Sequence, residues 1–171
     1  FVYPNTAGAW ATANPMNTGR NGLAGAGSYT SAVAFGGYTG TAYANETEKY
    51  NGTNWTEVNN LNTARSTLGG NGSSDSDALA YGGEAAAPTF MNGFTETWNG
   101  TNWTEVNDMN TVRKQVGGLG TNNTAALVLG GRLDPGPRIA NVEQWNGTNW
   151  TEVNDLNQTK GSTAGSGTIT S

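Results

Sequence analysis

The sequence "WNGTNWTEVND" occupies Trp98–Asp108 and occurs again, unchanged, at Trp145–Asp155. A near copy, "YNGTNWTEVNN", lies at Tyr50–Asn60. Each copy places Asn-Gly between two large aromatic residues. Asn-Gly is a strong hairpin signal, because both residues tolerate the positive φ of a type I′ turn. The repeated sequence therefore predicts a β-hairpin with one large aromatic side chain on each arm.

The hairpin is the second half of a longer repeat of about 47 residues. Each repeat begins with a Gly-rich stretch such as Leu68–Gly72 and continues with an apolar run that ends in Gly-Gly. A short apolar run that ends in a breaker is typical of a strand buried on both faces. Gly in the preceding strand indicates that other groups approach its backbone closely. Each repeat thus predicts four short strands, and the whole chain predicts an all-β fold.

The order of these features resembles the kelch repeat, in which Gly-Gly follows an apolar strand and a Trp follows an aromatic residue five positions later. The Arg of "NTARS" and "NTVRK", just before the next Gly-rich strand, fits the same pattern. The resemblance covers nearly the whole chain and implies a β-propeller of four-stranded antiparallel blades. The repeated hairpin sequence is also similar to kelch-like repeats of phage and microbial surface proteins, which implies an extracellular or virion-surface location.

A propeller alignment divides the chain, residues 1–171, into complete and partial blades. The predicted parts are a partial blade at 1–13, blades at 21–58, 66–106 and 114–153, and a further first strand at 162–170. These parts amount to about 3.75 blades of a propeller. Open sheet edges are usually covered in natural folds. We therefore expect the remaining strands to come from the rest of a longer chain or from other protein subunits of an assembly.

Charged and aromatic residues that recur once per repeat are expected to be structural. We expect Glu–Arg pairs within or between blades, and inner Trp side chains packed between neighbouring sheets. The alternatives are a charged ring that binds a ligand, and Trp platforms on which sugars stack. The residues concerned are Glu48, Glu96 and Glu143; Arg20, Arg65 and Arg113, with Lys160 at the fourth position; and Trp10, Trp55, Trp103 and Trp150.

The connection from Gly-Gly to the third strand differs in every repeat, although the sequences around it barely change. Variable loops on a constant framework are where binding specificity usually lies. These loops therefore predict a binding surface for a protein partner or a surface glycan, and the alternative is neutral drift. The candidate binding residues are Tyr38, Tyr43, Phe90, Met91, Phe94, Arg132, Asp134 and Arg138.

Two further motifs have plain structural explanations. The sequence "SSDSD" at Ser73–Asp77 contains carboxylates that could suggest a calcium loop, but it lacks the ligand spacing of an EF-hand and aligns with polar turns in the other repeats. Ten positions match the glycosylation pattern Asn-x-Ser/Thr. Most of them lie in the repeated hairpin, where turn geometry explains the Asn.

The composition limits the classes of function. The chain has no Cys and no His, and its net charge is −5. Nucleic acid is not an expected partner, because phosphate binding needs clustered Lys and Arg. No apolar run approaches the roughly 20 residues that span a bilayer, so membrane insertion is not expected. We expect no metal and no cofactor.

Three functions remain as hypotheses. The first is a non-enzymatic structural or adhesive module, such as part of a phage fibre, tail or capsid decoration or of a microbial surface protein. The second is an intracellular kelch adaptor that binds a partner protein. The third is a propeller enzyme, but the copper oxidases of this architecture use His and Cys ligands, and the "SxDxGxTW" boxes of sialidases are absent from this sequence. We therefore expect no enzyme activity from these residues.

Overall fold

Twelve strands run through residues 12–88 and 90–162, the part of the chain that the computed structural model describes. They are β1 (Ala24–Ser28), β2 (Ser31–Phe35), β3 (Thr47–Tyr50), β4 (Trp55–Val58), β5 (Gly69–Ser74), β6 (Asp77–Tyr81), β7 (Thr95–Trp98), β8 (Trp103–Val106), β9 (Gly117–Asn122), β10 (Ala125–Leu129), β11 (Val142–Trp145) and β12 (Trp150–Val153).

Every strand pairs antiparallel with the next one in its repeat, which gives three four-stranded sheets in the orders β1-β2-β3-β4, β5-β6-β7-β8 and β9-β10-β11-β12. The prediction of an all-β fold with four-stranded antiparallel sheets is confirmed. The predicted ranges 21–58, 66–106 and 114–153 each contain one sheet. The strands predicted at the two ends fall mainly on residues 1–11 and 163–171, outside the described residues.

The repeated sequence forms the outer hairpin of each sheet, but the predicted type I′ turn is wrong. Tyr50 stands opposite Trp55, so the loop between them has four residues. Gly52 has φ +91°, whereas Asn51 is not among the residues with positive φ. The Asn51 Oδ1 instead accepts hydrogen bonds from the backbone N–H of Thr53 and Asn54 at 3.0 and 2.9 Å. Asn therefore closes this turn with its side chain, a known role of Asn in loops.

The three sheets pack in chain order, with β1 against β5 and β5 against β9. The middle sheet shows why its second strand is apolar throughout. Successive side chains of a strand point to opposite faces. Ala78 and Ala80 of β6 belong to the core shared with the first sheet, and Leu79 and Tyr81 belong to the core shared with the third. All four side chains are fully buried.

The Gly-rich first strands provide space for aromatic rings of the neighbouring sheet. A Cβ on Gly70 would lie 2.7 Å from Cζ of Phe35, and a Cβ on Gly118 would overlap the hydroxyl of Tyr81. Phe35 and Tyr81 are the last residues of β2 and β6. The last aromatic of one sheet thus lies over a glycine of the next, which fixes the spacing between sheets.

The described residues contain no helix with the length and apolar character that crossing a membrane requires.

Candidate binding site

The sheets present two different ends. The four-residue hairpin loops, such as residues 51–54, lie at one end, together with the turns between first and second strands: a Cβ on Gly52 would lie 3.5 Å from Thr30. We call this end the hairpin face. The opposite end carries residues 36–46, 82–94 and 130–141, together with the turns before β1, β5 and β9. We call this end the loop face.

A constant backbone arrangement begins each loop. The second glycine of each Gly-Gly has a φ between +107° and +116°. Its N–H donates to a backbone carbonyl of the segment that leads to the next sheet. The bonds run from Gly37 to Arg65, from Gly83 to Arg113 and from Gly131 to Lys160, at 2.8, 3.0 and 2.7 Å. The residue that follows is therefore held in the same place in all three repeats.

That equivalent place holds a different side chain in each repeat: Tyr38, Glu84 and Arg132. Each of the three pairs antiparallel with a residue just before the first strand and with a residue further along its own loop. The pairings are Asn21–Tyr38–Tyr43, Ser66–Glu84–Met91 and Lys114–Arg132–Arg138. The loop face thus displays an aromatic pair, an acid beside a thioether, and a pair of guanidinium groups on one common framework.

The first loop presents two tyrosines in contact. The ring centroids of Tyr38 and Tyr43 are 5.4 Å apart, with the planes tilted by 59°. Burial raises the pKa of Tyr43, and the negative charge of Glu84 raises it further. The charges of Lys114 and Asp134 also act on this phenol. Glu84 belongs to the second loop and Asp134 to the third, so charges of both other loops act on this phenol.

The second loop exposes an aromatic side chain in an unusual backbone conformation. Phe90 is 64% exposed and has φ +33°. Positive φ is rare for a bulky residue and indicates local constraint. Met91 and Phe94 are half-buried. Asn92 is buried, and its amide atoms have no hydrogen-bond partner among the described residues.

Lys114 connects the second and third loops. Its Nζ lies 2.5 Å from Oε2 of Glu84 and 2.6 Å from Oδ2 of Asp134. Burial alone would lower the pKa of Lys114, but the hydrogen bonds to Asp134 and Glu84 outweigh it and raise the pKa. The Lys114 ammonium in turn holds the pKa of the exposed Asp134 carboxyl below its usual value. Lys114 and Asp134 are therefore both charged at neutral pH.

A small cavity lies where the turns before the first strands meet. These turns are centred on Gly22, Thr67, Gln115 and Ser162, all with φ between +52° and +61°. The backbone N–H of Thr67 donates to the carbonyl of Gly22 at 2.7 Å. In the same way Gln115 donates to Thr67 and Ser162 donates to Gln115, both at 2.8 Å. All four residues line a cavity of about 210 Å³. The turns that precede or follow the sheets therefore line one common space.

The repeated Glu and Arg residues form buried ion pairs between repeats. The pairs are Arg20–Glu48 at 3.0 Å, Arg65–Glu96 at 2.6 Å and Arg113–Glu143 at 3.0 Å, and in each the two side chains are at most 1% exposed. The same carboxylates accept hydrogen bonds from Asn17, Asn62 and Asn110. Each Arg precedes the sheet on which its Glu lies. Side chains at this depth hold sheet to loop and do not face a ligand.

Burial lowers the pKa of Arg65 and Arg113, and the attraction of Glu96 and Glu143 opposes that shift. Lys160, at the fourth position, is exposed and donates to Gln158 at 3.3 Å.

The inner Trp residues lie between sheets where the structure describes both neighbours. Trp103 packs edge-on against Phe35 of the first sheet, and its Nε1 donates to the hydroxyl of Thr47 at 3.0 Å. Trp150 makes the same contacts with Tyr81 and Thr95 of the second sheet. Trp55 is half-buried, and Trp10 lies outside the described residues.

The "SSDSD" sequence forms a polar turn, held by its own side chains and by Lys49 of the first sheet. Ser73 Oγ donates to Asp77 Oδ2 at 2.9 Å, and Asp75 pairs with Lys49 at 2.9 Å. Within residues 12–88 and 90–162, no group of three or more His, Cys, Asp or Glu side chains is placed to hold a metal ion.

Sequence reasoning missed Glu84 and Lys114, and it missed the turn residues Thr67, Gln115 and Ser162. A usable signal existed for each of them. Glu84 directly follows a Gly-Gly, Lys114 directly follows the recurring Arg113, and the turn residues hold equivalent positions two residues after the recurring Arg or Lys. Position within the repeat, rather than residue type, identifies the loop face.

Neither the protein-family models nor the curated proteins compared with this chain match it. Fold and site together define a class of protein: an all-β repeat protein with packed four-stranded antiparallel sheets and, on one face, long loops that differ between repeats.

Proposed function

We propose that this chain is a non-enzymatic structural or adhesive binding module, and that its loop face contacts a protein partner or a glycan. One observation carries the proposal. Three equivalent backbone positions hold Tyr38, Glu84 and Arg132, whereas the buried Glu–Arg pairs are the same in every repeat. The hairpin loops, by contrast, keep the sequence "NGTN" in all three sheets, where Asn caps the loop and Gly has a positive φ.

We propose further that the three sheets are blades of a kelch-like β-propeller. Three features support this. First strands of neighbouring sheets lie against one another, as at a propeller axis. The turns before them line one cavity. Each sheet is joined to the next by the same Arg–Glu pair and by an Asn side chain on the hairpin face, such as Asn59 to Asn102 at 2.8 Å.

The sequence supports a role on a virion or microbial surface. The hairpin sequence of two repeats is identical over eleven residues, and charged residues make up 12% of the chain. The proposed partners are other subunits of an assembly, the rest of a longer chain, or a surface glycan. The absence of His removes the most common general base at neutral pH, which favours binding over catalysis.

The test is a screen of the labelled chain against a glycan panel and a random-peptide library, followed by variants of each face. Replacing Tyr38, which is half-buried, and exposed Phe90 with alanine is expected to weaken a selected ligand at least tenfold, because aromatic side chains at a surface are common binding anchors. The matched control replaces Thr53 and Thr101, exposed on the hairpin face, and is expected to leave affinity unchanged. Ligands that depend on the hairpin face, or that the chain alters chemically, would contradict the proposal.

A further inference from the structure

Some of the positively charged side chains form ion pairs and others do not. All eight Lys and Arg residues, and all thirteen Asp and Glu residues, lie in the described part of the chain. Five of the basic side chains make ion pairs with them. Among the described residues, Arg132, Arg138 and Lys160 have no carboxylate within salt-bridge distance, and all three are exposed.

These three residues lie together at one corner of the loop face, which we call the basic corner. Arg132 and Arg138 pair antiparallel across their loop. The N–H of Lys160 donates to the carbonyl of Ile139 at 3.1 Å, and the carbonyl of Lys160 accepts from Gly131 at 2.7 Å. Those bonds place Lys160 beside both arms of the loop.

The absence of a side chain at Gly161 lets Arg138 lie across the backbone next to Lys160. A Cβ at Gly161 would lie 3.2–3.3 Å from Cγ, Cδ and Nε of Arg138. Three positive groups are thus held close together on a chain whose net charge is −5.

No carboxylate of the described residues forms an ion pair with the corner, although the charge of Arg132 helps to lower the pKa of Asp134. Glu84 and Asp134 are both bound by Lys114. Of the four cations here, Lys114, Arg132, Arg138 and Lys160, only Lys114 is ion-paired among the described residues. Grouping like charges is unfavourable unless a negative charge offsets the repulsion. The described part of the chain does not provide that negative charge, so a partner could supply it.

The surface beside the corner indicates the kind of molecule that provides the counter-charge. Phe90 accepts a backbone hydrogen bond from Ala85, next to Glu84, and Glu84 is bound by Lys114. Exposed Val112 lies two residues before Lys114. An exposed aromatic residue, an aliphatic residue and two arginines on the same face match the composition of protein–protein interfaces. Arg also binds carboxylates through two parallel hydrogen bonds, because its guanidinium is planar.

We propose that the basic corner, Arg132, Arg138 and Lys160, binds the carboxylate groups of an acidic polypeptide segment whose apolar residues contact Phe90. This inference rests on the proposed function, since it assigns the chemistry of the partner that the loop face binds.

The experiment measures binding of the whole chain by titration calorimetry to three synthetic peptides of equal length: one rich in Glu and Phe, one with Gln for Glu, and one with Lys for Glu. Only the acidic peptide is expected to bind, and its affinity is expected to fall as salt is raised. R132Q/R138Q is expected to weaken it at least tenfold. The matched control, T101E/T148E, makes the same change in net charge at exposed hairpin-face positions and is expected to retain binding.

The other possible results separate the basic corner from the proposed function of the loop face. Equal weakening by both double variants would mean that net charge alone acts, and would overturn the basic corner. Preference for polygalacturonate over the acidic peptide would assign the corner to a glycan, and charge-dependent self-association would assign it to a second copy; each overturns the inference as stated. Binding that survives R132Q/R138Q but is lost in F90A would overturn the corner and leave the proposed function standing. Binding that is kept in both R132Q/R138Q and F90A would count against the basic corner and against the proposed function.

Discussion

Replacing Trp103 with alanine is expected to lower the free energy of unfolding by about 3–5 kcal/mol, the usual cost of truncating a buried Trp. Trp103 is 6% exposed and fills the space between the first two sheets. The substitution removes its contacts with Phe35 and Trp98, whose ring centroids lie 4.8 and 5.3 Å away. It also leaves the buried Thr47 hydroxyl without its donor. Equilibrium unfolding in urea measures the loss.

The matched control is Asn99→Ala in the same hairpin. Asn99 is exposed, and its Oδ1 accepts backbone hydrogen bonds from Thr101 and Asn102, both at 2.9 Å. Losing a side-chain cap of this kind costs about 1 kcal/mol. Equal shifts of the unfolding midpoint in the two variants would mean that Trp103 does not pack between the sheets.

Replacing Glu96 with glutamine is expected to cost about 3–5 kcal/mol, because it leaves a buried charge on Arg65 without its partner. The Glu96 carboxylate binds Arg65 at 2.6 Å and accepts from both the backbone and the side chain of Asn62 at 2.8 Å. These bonds join the second sheet to the segment that leaves the first. The change should therefore loosen the contact between repeats as well as lower stability.

Glu105 provides a control on the neighbouring strand. It stands opposite Glu96 in the β7–β8 register but is exposed. Glu105→Gln should change the free energy of unfolding by no more than about 0.5 kcal/mol. Adding Arg65→Met to Glu96→Gln should recover part of the loss, since the unpaired charge is gone. A loss in Glu96→Gln as small as that in Glu105→Gln would show that the pair does not connect the sheets.

The sheets could be predicted from the sequence because their signals are local. The hairpin sequence, the apolar runs and the Gly-Gly breakers each act within a few residues. The turn type was wrong because Asn-Gly fits two solutions, and the Asn side chain decides between them by capping the loop. The shifts of strand register at Asn71 and Ala125 could not be predicted either. The Gly-rich strands look alike in sequence, but only that of the first sheet pairs regularly with its neighbour.

Contacts between repeats were harder to predict from the sequence. Periodicity identified the Glu and Arg residues, but each Arg could have paired with the Glu before it or the Glu after it. The structure pairs Arg65 with Glu96, 31 residues later, because the loop that carries Arg65 leads into the second sheet. The charges of the loop face depend on three separate loops meeting, which no single repeat encodes. Lys114 joins Glu84 to Asp134 for this reason.

The central claim is that residues constant between repeats stabilise the fold, while the loop face is free to bind. The most direct measurement is urea unfolding of the chain with Phe90→Ser, Arg132→Gln and Arg138→Gln combined. All three side chains are exposed, and two are arginines without an ion pair among the described residues. The free energy of unfolding is expected to stay within about 1 kcal/mol of the unchanged chain. A loss comparable to that of Trp103→Ala would show that these loops belong to the framework, and would contradict the claim.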